Sequence, residues 1–102
     1  MSVKGQLTAA RDFLMAGMRA SARGASPNEQ AAKLLRACLD LVEHMVPKSE
    51  KLSGAEVDTT LGVLQQAASE LEQDESASAV LAAVRNAIGR MQALRTEITP
   101  VK

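Results

Sequence analysis

The chain has 102 residues, enough for one domain and one core, and short enough that association with another chain could add to its stability. Its apolar residues are almost all Ala, Leu, Val and Met, with one Phe and no Trp or Tyr, which argues against a sheet built from β-branched and aromatic clusters. Net charge is zero, which argues against a general polyanion binder, and the single Cys38 excludes an internal disulfide.

The first helix is expected over about residues 3–22. Val3, Leu7, Ala10, Leu14 and Gly17 recur at alternating steps of four and three and so share one face. Phe13 and Met18 flank that stripe, and Gly24 supplies a stop. Arg11, Arg19 and Arg23 face only Asp12, which gives this segment a basic cast loosely like a transit peptide.

The second helix is expected over about 27–46. Ser26-Pro27-Asn28-Glu29 reads as a capping box with proline at the first helical position, and Pro47 ends the helix. Leu34, Leu35, Cys38, Leu41, Val42 and Met45 form the main apolar face, and Ala32, Leu39 and Val46 form a second strip on its flank. A face that wide is explained by burial between two neighbours or by an intermolecular contact through Leu39 and Val46.

The third helix, about 54–73, opens on Ser53-Gly54-Ala55-Glu56, a second capping box. Val57, Leu61, Leu64, Ala68 and Leu71 follow coiled-coil spacing and suit one partner groove, while Thr59, Gln65, Gln66, Ser69 and Glu72 point to solvent. The fourth helix is expected over about 76–97, with Pro100 beyond it. Asp74 and Ser76 are better caps than interior residues, which favours a break over one continuous helix. Its apolar arc includes Val80, Val84, Ala87, Met91 and Leu94, and the small residues Ala82, Gly89 and Ala93 on its back reflect the high helix propensity of an Ala-rich helix or would permit close approach of another helix. Arg95 breaks this pattern, occupying a position where an apolar residue is due. It either snorkels out at the fraying end of the helix or reaches an acid on a neighbouring helix, and in the second case an antiparallel neighbour would place it beside Glu56 or Asp58.

The expected fold is thus all-α: a small antiparallel up-down bundle of about four helices with coiled-coil-like packing, forming a single domain over residues 1–102. No apolar run reaches the ~18 residues a membrane span needs, and a lone cysteine suits the cytoplasm.

The residues that could carry chemistry are few. There is no Gly-rich phosphate loop, no pair of Cys ligands and no nucleophile elbow. Cys38 falls on the apolar face of its helix and His44 on the polar side, so the two do not form a thiol–imidazole pair. His44 is the alternative phosphoacceptor, because helical-bundle phosphotransfer domains use one exposed His on a helix. Those domains place a basic residue three positions on, followed by glycine; here that position is Pro47, and Asp40 one turn earlier repels a phosphoryl group. His44, Asp40 and Glu43 make too sparse a set for a specific metal site, and no cofactor is expected. Arg85, Arg90 and Arg95 spiral around their helix without aligning, which leaves nucleic-acid binding a weak alternative.

Charge is segregated: Glu56, Asp58, Glu70, Glu72, Asp74 and Glu75 occur without one intervening Lys or Arg. Neutralisation within the bundle or between protomers accounts for this, as would a docking surface for a basic protein partner. The expectation is a non-enzymatic protein–protein interaction module: an adaptor, chaperone-like accessory or structural subunit. It would form a homodimer through apolar faces at Leu39 and Val46, with Arg95, Glu56 and Asp58 as further interface candidates.

Overall fold

A computed structural model describes residues 3–22 and 29–98. Four α-helices account for most of them: α1 (Val3–Ala22), α2 (Glu29–Met45), α3 (Gly54–Leu71) and α4 (Ser78–Ile98). Among the described residues there is no strand, and no helix is long and apolar enough to cross a membrane. The expected stop at Gly24, the Ser26-Pro27-Asn28 start of the second helix, and Pro100 lie outside the described residues.

Local chemistry explains the boundaries. α2 ends at Met45, and Pro47 sits in the first turn of a 3-10 segment, Val46–Lys51, that turns the chain towards α3. α3 begins with the expected capping box: the Ser53 side chain accepts from the Glu56 backbone N–H at 3.2 Å, and the Glu56 carboxylate accepts from the Ser53 backbone N–H at 3.1 Å. α3 and α4 are separate helices, divided by a turn at Glu72 and Gln73 and by a short 3-10 segment, Glu75–Ala77. The Ala77 N–H bonds to the Asp74 carbonyl there, so Asp74 does belong to the break.

Each helix packs on the next, and α1 closes the ring against α4 in the most extensive of the four pairings. Cross-helix contacts fix an up-down-up-down order. Gly17, late in α1, lies beside Val80 and Ala83, early in α4. Thr60, in the second turn of α3, meets Met45 at the end of α2. Arg95, late in α4, reaches Asp58, early in α3. The result is a rod of 43 × 20 × 19 Å.

The core runs down the axis. Leu7, Leu14, Val42, Val57, Leu64, Val84, Met91 and Leu94 are each 0% exposed. Burying side chains of this size contributes roughly 2 kcal/mol apiece against the entropy of ordering the chain. Packing decides three points that the sequence pattern left open or drew too narrowly. α3 buries more than a narrow seam, because Thr60 and Ala67 are also inside, and the helix packs against both α2 and α4. The Thr60 hydroxyl is tolerated there because it donates to the Glu56 carbonyl at 3.1 Å. The close helix approach uses Gly17 and Ala83, where a β-carbon on Gly17 would come within 3.1 Å of the Ala83 β-carbon; Gly89 faces open space. Leu39, expected on an uncovered flank, is 9% exposed and belongs to the core. Both sides of α2 have a neighbour, α3 on the Met45 side and α1 on the other, and this accounts for the width of its apolar face.

Candidate functional site

Apart from Leu39, in the core, the functional candidates lie at the end of the bundle where α2 gives way to α3, and that end has two sides. On the first side the polar groups are matched. Lys48 lies at a kink inside the 3-10 segment, with φ −116° and ψ 34°, and its ammonium group hydrogen-bonds to Glu56 Oε2. That bond, helped by the Ser53 backbone N–H, holds the Glu56 carboxyl below its ordinary range. Beside it, Arg95 Nε donates to Asp58 Oδ1 at 2.9 Å and Nη2 donates to Oδ2 at 3.4 Å, a two-pronged contact. The guanidinium lies across Gly54, where a β-carbon would come within 2.8 Å of it. Arg95 therefore occupies its apolar register by crossing to the neighbouring helix. Of the two acids proposed for it, Asp58 receives it, and Glu56 is taken by Lys48.

The second side is a depression between the start of α1, the 3-10 segment and the end of α4. Two adjoining hollows of about 620 and 490 Å³ share Lys4, Ser49 and Glu50. Val3, Leu52 and Ile98 supply apolar wall in one, and Val46 and Pro47 do so in the other. Val46, the second residue expected on an exposed flank, is half-buried and lies at this site. The depression itself was not anticipated from sequence. Its only signal was five residues, Pro47 to Lys51, with no helical period between two strong boundaries.

His44 is exposed on the last turn of α2. It shares a small groove of about 160 Å³ with Leu41, Met45, Glu56, Thr59 and Thr60. Asp40, expected beside it, forms an ion pair with Arg36 at 3.8 Å. Lys48, four positions on and a cation that could steady a phosphoryl group, is held by Glu56. Cys38 is fully buried, and burial pushes its thiol up to about 12, so the reactive thiolate is suppressed at neutral pH. Among the described residues no group of three or more His, Cys, Asp and Glu side chains could hold a metal ion.

Three of the six segregated acids form ion pairs inside the chain. Glu56 pairs with Lys48, Asp58 with Arg95, and Glu72 with Arg85 at 2.9 Å. Those pairs also engage Arg85 and Arg95, the outer members of the arginine series on α4. No protein-family model matches the chain, and no curated protein or solved structure matches it significantly.

Proposed function

We propose that the protein is a non-catalytic protein–protein interaction module of the cytoplasm, serving as an adaptor, chaperone-like accessory or structural subunit. Its docking surface is the depression at the α2–α3 end. The observation that carries this reading is the contrast within that end. On the α3 side the charged groups are engaged in capping or ion pairs, whereas Val3, Val46, Leu52 and Ile98 remain partly open around the two adjoining hollows. Incompletely covered apolar side chains gathered in a concavity, with polar groups around them, are the usual make-up of a recognition surface.

Self-association belongs to the same reading, now through Val46 and its surroundings, because Leu39 has almost no surface left to offer. A phosphotransfer role for His44 is less well supported, since it needs Lys48 released from Glu56. The test is site-specific photocrosslinking. A benzoylphenylalanine at Ser49, in the depression, should capture a discrete partner or a second copy of the chain. The same group at Gln66, exposed on α3, should not. Equal capture at both positions, or none at Ser49, rejects the reading.

A further inference from the structure

We propose that the depression takes an acidic segment of a partner protein, with one apolar side chain seated near Val46, Leu52 and Ile98 and flanking carboxylates meeting Lys4 and Lys51. This rests on the reading of the protein as an interaction module and adds the chemistry of the partner.

Charge complementarity selects the occupant. The charged side chains lining the two hollows are Lys4, Lys48, Lys51 and Glu50. Lys48 is neutralised by Glu56, whereas Lys4 and Lys51 form no ion pair among the described residues. The local balance is therefore positive in a molecule whose net charge is zero. Glu50 is the one lining acid, and it keeps the attraction modest and sensitive to salt. Within this chain, Glu56, Asp58 and Glu72 are already paired, so the start of α3 and the residue at its end are poorly placed to serve as the acidic segment of a second copy. The hollows adjoin and are open along their length, which suits an extended or helical segment better than an enclosed small molecule.

The experiment titrates the isotope-labelled full chain with two peptides of equal length. One has a central leucine flanked by glutamates, and the other carries lysine in place of every glutamate. The acidic peptide should shift the backbone amides of residues 46–52 and of Val3 and Lys4, and the basic peptide should leave them in place. The double variant Lys4→Glu, Lys51→Glu should bind the acidic peptide roughly tenfold more weakly, as should a rise in salt, because exposed charge pairs each contribute a fraction of a kcal/mol and reversal adds repulsion. Both lysines lie outside the core, and the melting curve of the double variant checks its fold. If it is unfolded, Lys51→Glu alone and the salt series carry the test. Equal shifts with both peptides overturn the acidic preference and leave the interaction reading intact. Silence from both peptides while Ser49 still crosslinks a partner overturns this proposal alone. Silence together with no crosslink removes both. Decanoate producing the same shifts while the acidic peptide is silent would make this a small-amphiphile site and overturn the proposal.

Discussion

One end of the bundle holds two regions of opposite character, a few residues apart in sequence. At the start of α3, Ser53, Glu56, Lys48, Asp58 and Arg95 satisfy one another. Across the 3-10 segment, Lys4 and Lys51 stand over a partly open apolar hollow with no ion-pair partner among the described residues. The difference shows that charge at a helix end has two separable uses. Matched charges fix the entry angle and register of a helix, and unmatched charges beside apolar surface remain available to another molecule.

Both regions rest on the same core, and the largest effect is expected there. Leu64→Asp would bury a carboxylate at a position that is 0% exposed, where α3 packs into the bundle. The loss is expected to be on the order of 3 kcal/mol or more, enough to unfold most small domains. An unchanged urea midpoint would show that α3 is not seated as described, and the contrast above would lose its foundation.

On the matched side, Ser53→Ala removes the cap and should cost about 1 kcal/mol by urea denaturation. Glu56 sharpens this through pH. Its folded-state pKa lies below the ordinary 4.5, so the stability it adds is present above that value and is lost as pH falls through the lower, folded-state value. Wild type and Glu56→Gln should therefore differ most near neutrality and converge in acid. A constant difference across that range would mean that the Lys48 contact and the cap do not depend on the charge of Glu56.

The Arg95–Asp58 contact should show a coupling of roughly 0.5 kcal/mol in a double-mutant cycle, because Asp58 is largely solvated. Zero coupling would make Arg95 a packing residue lying on Gly54. The smallest effect belongs to the unmatched side. Lys51→Glu should leave thermal stability within about 0.5 kcal/mol. A large loss would mean that this lysine already has a structural partner, and the two regions would no longer differ in kind.

Helix ends were the most legible part of the sequence, because capping and proline act locally. Ser53 and Glu56 form the box their spacing implied, and Pro47 ends α2 at Met45. The pairing of Arg95 with Asp58 was only half legible: a charge in an apolar register near a helix end either leaves with the fraying end or finds a partner, and antiparallel neighbours narrow the partner to Glu56 or Asp58 without deciding between the two outcomes. What the pattern left undecided or missed depends on the number of neighbours. The flank at Leu39 fitted either burial between two helices or contact with another chain, because a one-dimensional pattern does not count the helices that will cover it. Thr60 and Ala67 were missed because a hydroxyl and a single methyl carry little hydrophobic signal, although both sit inside. Gln6, only 6% exposed, escaped for the same reason. The depression was least legible of all, since its walls come from segments as distant in sequence as Val3, Leu52 and Ile98.

The contact between Gly17 and Ala83 bears on how a chain with one aromatic residue fills its interior. Bulky rings let helices stand apart and plug the gap between them. Here the gap itself is narrowed, because a glycine faces an alanine where α1 crosses α4, and less volume needs filling. The separation of α1 and α4 at that crossing is thus set by its smallest side chains. A larger residue at position 17 would wedge the two helices apart and leave voids along the axis that the neighbouring leucines and methionines are too short to close.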